Sequence, residues 1–393
     1  MSSSRGLRVL IIGGGIAGPA VAMALHRLGW QPRIFEAYPQ VEHVGGGFQI
    51  APNGMRVLAQ LGLADAVTAA GAIADEFCFR NHRGSVLARF RTARSGHAVT
   101  LMRDRFYRVI LDGLARDGLA VEYGKRLADI SYDGADVVAR FDDGTTARGD
   151  LLVGADGIRS RVRGWLIPEY AAPSYTGMLA IGALGDQPPP AGTADPRALN
   201  FMMGPKYLFG YASAYDAAPL WGWWCHLPQD RELPRAELLA LTDGELRRRV
   251  HEAFAGWAPP VDHFLRAGGA IQRTAIYDVP GLPRWSGDRV VLVGDAAHAM
   301  SPAGGQGASL ALEDAARLAR VLATDRPLAE SLAAYERARR PRAEAMVREA
   351  RKTDQRALAP HGPVGQWFRD RVMFPLIAPL IARGLEKHYA AEP

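Results

Sequence analysis

The residues best suited to hold a ligand stand between an apolar strand pattern and a helical pattern at positions 290–315, VVLVGDAAHAMSPAGGQGASLALEDA. Asp295 follows the strand, and Pro302 and several glycines form the turn before the helix. A carboxylate at a strand end can accept hydrogen bonds, and a helix N-terminus offers free N–H groups and a positive dipole end. The arrangement indicates one end of a ligand site whose other end must lie elsewhere in the chain.

A second unit lies at residues 8–37, RVLIIGGGIAGPAVAMALHRLGWQPRIFEA, and predicts strand, tight turn, helix and strand. Gly13, Gly15 and Gly18 form G-x-G-x-x-G. The first glycine allows the turn, the second lets backbone approach a pyrophosphate, and the third lets helix and strand pack closely. Glu36 ends the second strand, where a carboxylate can accept hydrogen bonds from a ribose diol. The unit predicts dinucleotide binding but does not separate NAD from FAD.

A third apolar strand, in DLLVGADGIRSRVR at 150–163, ends beside Asp156. In this order the three motifs resemble those of the class A (single-component) FAD-dependent aromatic hydroxylases. This p-hydroxybenzoate hydroxylase-like family includes the tetracycline-inactivating monooxygenases. The resemblance also covers residues 45–63, 101–114 and 335–343.

The resemblance implies an extended FAD, with its AMP half on the N-terminal glycine turn and its ribityl hydroxyls on Asp295. The helix that starts near Ala308 would then stabilise negative charge on the N1/O2 edge of reduced flavin. Ser309 departs from the asparagine that is usual after G-Q-G-A, although a serine N–H can do the same job. The residues expected to bind the cofactor are Gly13, Gly15, Ile16, Ala17, Gly18, Glu36, Ala37, Gln49, Arg103, Leu127, Asp156, Asp295, Pro302, Gly305, Gly307, Ala308 and Ser309.

These elements predict an α/β fold, with a Rossmann-like FAD-binding domain of the glutathione reductase type. A β-sheet substrate domain is inserted into it, and helices follow at the C-terminus. The expected divisions are 1–80, 100–174 and 281–345 for the FAD-binding domain, 81–99 and 175–280 for the substrate domain, and 346–393 for the C-terminal helices.

The middle of the chain carries short aromatic strands, among them LNFMMGPKYLFGYASAY and LWGWWCHLP. We expect one face of an antiparallel sheet to line the substrate pocket, although alternating residues can equally pack a core. The candidates are Phe201, Met203, Tyr211, Trp223 and Cys225. The second stretch does not fit the W-x-W-x-I-P box of flavin-dependent halogenases, since Trp224, Cys225 and His226 follow Trp223.

The resemblance implies a monooxygenase that hydroxylates an aromatic or polyketide-like small molecule through a flavin C4a-hydroperoxide, consuming O2 and NADPH or NADH. Only one G-x-G-x-x-G occurs, so we expect the nicotinamide cofactor to visit transiently. Epoxidation, Baeyer–Villiger oxidation and antibiotic inactivation on the same fold are alternatives. An NAD-dependent dehydrogenase, against which the Asp-Gly and Gly-Asp motifs argue, and a non-enzymatic flavoprotein are alternatives of other classes.

The sequence offers no side-chain catalyst. It contains no Ser-His-Asp order, no H-E-x-x-H and only two cysteines, so neither a nucleophile nor a metal site is predicted. His298 is tempting as an acid or base, but the resemblance implies an architectural role. The flavin is therefore expected to carry the chemistry, and the protein to supply position, a dry cavity and charge stabilisation.

The overall composition excludes some partners. Hydrophobic residues make up 48% and charged residues 22% of 393 residues, and 47 Lys+Arg face 41 Asp+Glu, so no nucleic-acid partner is expected. No apolar run reaches the ~18 residues that span a bilayer. In residues 361–389, prolines at 375 and 379 interrupt the amphipathic surface and favour a docked helix instead of stable membrane association. The resemblance to the tetracycline-inactivating monooxygenases implies that this helix borders the substrate opening, where it would act as a lid. We expect a cytoplasmic monomer or homodimer.

Overall fold

The computed structural model describes residues 6–40, 46–91, 96–218, 220–358 and 362–390 of the 393-residue chain. Its strands, numbered in chain order, are β1 Arg8–Ile12, β2 Gln31–Phe35, β3 Gly47–Ile50, β4 Ala72–Ala74, β5 Glu76–Asn81, β6 Val86–Arg91, β7 Ala98–Met102, β8 Val121–Glu122, β9 Leu127–Asp133, β10 Asp136–Phe141, β11 Thr146–Gly149, β12 Leu151–Gly154, β13 Ser174–Gly185, β14 Ala198–Met203, β15 Leu208–Tyr215, β16 Leu220–Pro228, β17 Gln272–Asp278 and β18 Val290–Leu292.

Helices connect and cover the sheets. Short 3₁₀ turns occupy Pro168–Tyr170 and Pro302–Gly304, and a π-helical turn occupies Arg369–Met373. The α-helices are α1 Ala17–His26, α2 Pro52–Gln60, α3 Ala64–Ala70, α4 Arg103–Arg116, α5 Arg161–Leu166, α6 Arg235–Ala240, α7 Asp243–Ala253, α8 Val261–Arg266, α9 Asp295–His298, α10 Gly307–Leu322, α11 Leu328–Leu358, α12 Pro363–Phe368 and α13 Phe374–Ala390.

The apolar runs of the sequence form a parallel sheet in the order β18-β12-β1-β2-β8. Its central strands are apolar on both faces because both faces are covered. Leu10 points to the β9–β11 meander, where Gly149 lies against its side chain, and Ile11 points to α1, where Gly18 makes room for it. The α/β fold class with its Rossmann-like core is confirmed.

A separate seven-stranded sheet has the order β17-β13-β16-β15-β14-β5-β6. The hairpin of β5 and β6 comes from an early part of the chain and joins this sheet by parallel pairing of β5 with β14. A small sheet has the order β3-β7-β4; its strands β4 and β7 directly precede and follow the β5–β6 hairpin along the chain. The proposed domain limits at 80 and 345 therefore fall inside β5 and α11, and the division into domains stays a prediction.

Candidate active site

Three motifs that are far apart in sequence meet at one edge of the parallel sheet. Ile12 of β1 pairs with Gly154 of β12, and Gly154 pairs with Leu292 of β18. Because the three strands run in parallel, the residues that follow them all emerge at the same carboxyl edge. Gly13 and Asp295 therefore lie within one site, as the sequence predicts.

The glycine turn after β1 is shaped by contacts that no side chain would permit. Gly13 has a φ of +114°, and a Cβ there would lie 2.2 Å from the carbonyl oxygen of Ala155. A Cβ on Gly18 would lie 2.0 Å from the Gly13 oxygen. A Cβ on Gly15, in contrast, would meet no described atom within 4 Å. Gly15 is the motif glycine that faces open space, as a pyrophosphate site beside α1 requires.

Glu36 lies across this turn at the end of β2. Its carboxylate accepts hydrogen bonds from the N–H of Gly14 at 2.8 Å and the N–H of Tyr38 at 3.0 Å. A carboxylate has about four lone-pair sites, so it retains capacity for a ribose diol. Ala37 is half-buried beside it.

Asp295 begins α9 and is exposed at the site. Gly294 before it has a φ of +59°, and its N–H donates to the buried Asp314 at 2.8 Å. Within the described ranges no protein group donates to the Asp295 carboxylate. The carboxylate is therefore available to ribityl hydroxyls.

The turn after α9 leads into α10 with its first N–H groups unused by the helix. Gly305 adopts the left-handed conformation, and Leu310 makes the first helical hydrogen bond, to Gln306 at 2.8 Å. The N–H groups of Gly307, Ala308 and Ser309 precede that bond. This helix start fits the negative edge of a reduced flavin.

The hydroxyl of Ser309 points away from that site. It is fully buried and accepts a hydrogen bond from the N–H of Ala51 at 3.0 Å, just before α2. A Cβ on Gly54 would lie 2.8 Å from this hydroxyl oxygen, so α2 and α10 approach closely here. The hydroxyl of Ser309, the departure from the family pattern, thus joins α10 to the start of α2. Contact of the Ser309 N–H with the cofactor stays a prediction.

Gln49 of β3 approaches the same turn, and Arg103 of α4 lies over the ring of its neighbour Phe48. The Nε2 of Gln49 is buried and has no hydrogen-bond partner in the described part of the chain, and its Oε1 lies 3.5 Å from where a Gly305 Cβ would stand. Arg103 is exposed at the start of α4, with its guanidinium 5.8 Å from the centre of the Phe48 ring. A buried donor without a partner beside an open glycine turn fits a cofactor with acceptor atoms.

Asp156 and Leu127 have local partners. The Asp156 carboxylate accepts from the hydroxyl of Ser160 at 2.5 Å and the N–H groups of Arg161 and Val162 at 2.7 and 3.1 Å, so it caps α5. Burial raises the pKa of this carboxyl, against the opposing effect of those hydrogen bonds. Leu127 is buried, and its carbonyl accepts a hydrogen bond from Arg161. Their contact with FAD stays a prediction.

His298 belongs to a buried charge network beneath the site. Its Nε2 lies 2.6 Å from Asp314, which also accepts from Arg339 Nε at 2.8 Å. Arg339 donates to Glu313 at 2.6 Å. Burial alone would raise the pKa of Asp314, but the charges of His298 and Arg339 outweigh it and lower the pKa to about 2. His298 is 1% exposed, in agreement with the architectural role expected for it.

Comparison with known proteins decides what this site holds. The model of the FAD binding domain family matches residues 6–350. The chain is 32% identical over 329 residues to 6-hydroxynicotinate 3-monooxygenase of Pseudomonas fluorescens, covering 81% of this chain and 83% of that one. It belongs to the FAD-binding family of class A aromatic hydroxylases. The protein is an FAD-dependent monooxygenase that uses NAD(P)H and O2.

Other relatives agree with this placement. The FAD-dependent urate hydroxylase of Klebsiella pneumoniae is 30% identical over 364 residues, covering 88% of this chain and 89% of that one. The crystal structure of Klebsiella pneumoniae HpxO complexed with FAD and uric acid matches with a TM-score of 0.86 at 27% identity, covering 98% and 97% of the two chains. The family match favours the monooxygenase over the dehydrogenase and over a non-enzymatic flavoprotein.

The seven-stranded sheet of the monooxygenase has two differently covered faces. One face packs under α7 and α8 and carries Tyr211, Trp223 and Cys225, which are at most 3% exposed. The opposite face carries Phe201 and also contacts residues of the cofactor-binding part of the chain, such as Ala51. We call this second surface the aromatic face; its aromatic members are Phe77, Phe79, Phe90, Phe201 and Trp224.

The five substrate candidates therefore do not line one pocket. Phe201 and Met203 alternate with Met202 and lie on the aromatic face, whereas Tyr211, Trp223 and Cys225 lie in the opposite core. The Tyr211 hydroxyl donates a hydrogen bond there to the carbonyl of Thr193 at 2.6 Å. The expectation that all five line a single face is wrong, because side chains alternate along a strand and the sequence does not show which candidates share a face. Which of the two groups contacts the substrate stays a prediction.

The sequence analysis missed Trp224, one residue from the candidate that it chose. The Trp224 ring covers Gly210 on the next strand, where a Cβ would lie 2.3 Å from it, and it meets the Phe201 ring edge-on at 5.9 Å. Trp224 is half-buried, as a ring that borders a pocket would be. The glycine opposite it is the one sequence signal that could have distinguished it from Trp223.

The C-terminal helices dock on the aromatic face. The rings of Phe374 and Phe79 lie 5.6 Å apart, and Tyr389 is 2% exposed within the cluster of this face. Arg369 donates to the carbonyl of Gly204 at 2.6 Å. The docked helix expected for this segment is present, and no described helix is long and apolar enough to cross a membrane. The apolar residues of α12 and α13 that point away from the sheet are exposed: Val364, Trp367, Phe368, Leu376 and Leu380.

Proposed function

We propose that this monooxygenase hydroxylates an electron-rich aromatic small molecule held between the flavin and the aromatic face. The observation that carries the proposal is the continuity of that face with the cofactor side. Phe77, Phe201 and Leu199 form one cluster with Ala51 and Ala98. An aromatic surface that packs against the cofactor-binding part of the chain suits a flat, apolar ring.

Different residues of the chain bind the two ends of the cofactor and shape the site around it. The turn after β1 and Glu36 bind the AMP half of FAD, and Asp295 binds the ribityl chain. FAD held by these residues would supply the redox chemistry: with electrons from NAD(P)H, one oxygen atom of O2 would go to the ring and the other to water. The first N–H groups of α10 hold negative charge at the flavin edge, and the packed aromatic face excludes water.

Phe201 and Trp224 position the substrate ring. The Phe201 ring lies 5.2 Å from Phe79 and 6.3 Å from Phe77, so it belongs to an ordered stack. Trp224 closes one side of the stack at right angles. These rings fix the plane of a substrate by stacking and edge contacts.

The test is turnover by the purified protein. It is expected to be yellow, to release FAD on acid denaturation, and to oxidise NADH or NADPH faster with an aromatic substrate among phenols, quinolones and polyketide aromatics. Mass spectrometry with isotopically labelled O2 must then place one labelled atom in the product. A colourless protein, or oxidation that yields only H2O2 with every compound, would contradict the proposal.

A further inference from the structure

A histidine–aspartate pair joins β16 to α11 and includes none of the residues assigned to the cofactor. His226 stands on β16, two residues from Trp224 and therefore on the aromatic face. Its Nδ1 lies 2.8 Å from Oδ1 of Asp354 on α11. Asp354 is 5% exposed, and its second oxygen, Oδ2, is buried without a hydrogen-bond partner among the described residues.

The pair is close to the turn at residues 302–306 before α10, because helix α11 contacts this turn and also carries Asp354. Ala350 of α11 contacts Gly304: a Cβ added to Gly304 would lie 3.1 Å from the Cβ of Ala350. Asp354 follows Ala350 by four residues, so both side chains lie on the same face of α11, about 6 Å apart. A group bound at Asp354 would therefore lie about one helical turn from the contact between Ala350 and Gly304.

A cavity of about 170 Å³ opens at Asp354. The hydroxyl protons at its wall are already used: Tyr175 donates to the carbonyl of Gln229 at 2.5 Å, and Thr176 donates to that of Ile276 at 2.9 Å. The remaining lining residues are Met178, Arg351 and Gln355.

The carboxylate of Asp354 is an acceptor at the wall of this cavity. Arg351 donates to both carboxylate oxygens of Asp278, at 2.7 and 2.5 Å, so its charge is compensated. The carboxylate of Asp354 has the imidazole of His226 as its partner on Oδ1, which leaves Oδ2 as an acceptor. A buried carboxylate oxygen without a donor is costly, so a donor from a ligand or from water is expected there.

We propose that Asp354 and His226 form the specificity-determining subsite for the aromatic substrate, and that this subsite takes a ring bearing an O–H or N–H donor. The proposal rests on the proposed function, because it assigns one end of the substrate of that reaction. Asp354 accepts the substrate donor on Oδ2, while its Oδ1 accepts from Nδ1 of His226 and so fixes the orientation of the carboxylate. A ring that carries a carboxylate at this position is repelled.

Calorimetric titration of the FAD-loaded protein tests the subsite without turnover. The probes are resorcinol, which offers two donors, and benzoate, which offers a carboxylate. The native protein is expected to bind resorcinol at least about tenfold more tightly than benzoate, and Asp354→Asn is expected to lower that ratio by about tenfold or more. Lys352→Gln, an exposed change on the same helix, serves as the matched control and leaves the ratio unchanged.

His226→Gln provides a second reading if Asp354→Asn does not fold, and it is expected to lower the ratio by a smaller factor. FAD content and melting temperature are measured for each variant. A native protein that prefers benzoate, or an unchanged ratio in a flavin-loaded variant, overturns the proposal and leaves the cavity to water. Hydroxylation of none of the compounds tested would count against the proposed function while the binding ratio stays measurable.

Discussion

The carboxyl edge of the parallel sheet and the aromatic face contribute to one active site in different ways. At the edge, the backbone provides the fit: Gly13 and Gly18 have no room for a Cβ, and Gly15 faces open space. On the aromatic face, side chains form the surface, and Trp223 and Trp224 lie in different clusters because they point to opposite faces of the sheet. A backbone site leaves a spacing pattern in the sequence, whereas a side-chain face depends on strand register.

The largest effect is expected at the backbone site, from a comparison of two glycines. Gly13→Ala places a Cβ 2.2 Å from the Ala155 oxygen at a φ of +114° and is expected to abolish FAD binding and to destabilise the fold. Gly15→Ala has free space in the protein itself, so it is expected to fold normally yet lose most FAD. Flavin absorbance and thermal melting distinguish the two. Full FAD in either variant would refute the assignment of the turn.

The next effect concerns the charge network below the turn. Arg339→Met removes a buried cation that binds both Asp314 and Glu313 and is expected to cost about 3–5 kcal/mol in denaturant unfolding. The pKa of Asp314 is lowered to about 2 in the folded protein, so its contribution is present above the unfolded pKa of about 4 and is lost as the pH falls toward 2. Native-like stability of Arg339→Met, or an unchanged acid unfolding curve, would contradict the network.

A smaller loss is expected at Asp295. Asp295→Ala removes a charged acceptor for ribityl hydroxyls and should weaken FAD binding by about 1.5–3 kcal/mol, without a comparable loss of stability because the side chain is exposed. His298→Ala is the control with the reverse outcome, since it disrupts a buried hydrogen bond and should mainly lower the melting temperature. If the His298 variant kept its fold and flavin but lost all turnover, its architectural role would be wrong.

Adjacent tryptophans test the aromatic face directly. Trp223→Phe lies in the core beside Phe209, at 5.5 Å between ring centres, and should cost about 1–2 kcal/mol of stability with little change in substrate KM. Trp224→Phe should leave stability nearly unchanged and raise the KM for the aromatic substrate several-fold. The reverse pattern would show that the pocket lies on the other face.

The smallest effect is expected from the C-terminal helices. Phe374→Ala loosens the contact between α13 and Phe79, so water should reach the flavin site more often. FAD content should stay the same, while the fraction of consumed NAD(P)H that appears as H2O2 should rise. Leu380→Ala, on the exposed side of α13, is the matched control. Equal H2O2 release by both variants would remove the lid role.

Much of the fold and the cofactor site could be predicted because each part is local in sequence. The apolar run of β1, the glycine spacing and Glu36 lie within a single short segment, and the strand ends of β12 and β18 carry their own motifs. The buried network of Glu313 and Arg339 and the pairing of His226 with Asp354 join residues of different segments. No local pattern marks such pairs, so they were not predicted.

The sequence by itself determined that motif-bearing strands end at a dinucleotide site, because glycine spacing and strand-end carboxylates act through backbone geometry. FAD as the cofactor followed from the resemblance of these motifs to those of a known family. Tertiary structure alone decided which parity of β14, β15 and β16 packs under α7 and α8 and which packs against Ala51 and Ala98. It also decided that Ser309 holds Ala51 and that Asp354 reaches His226 across 128 residues of chain. The physical reason is that a shift of one residue along a strand exchanges its two faces, and only packing against the rest of the molecule selects one of them.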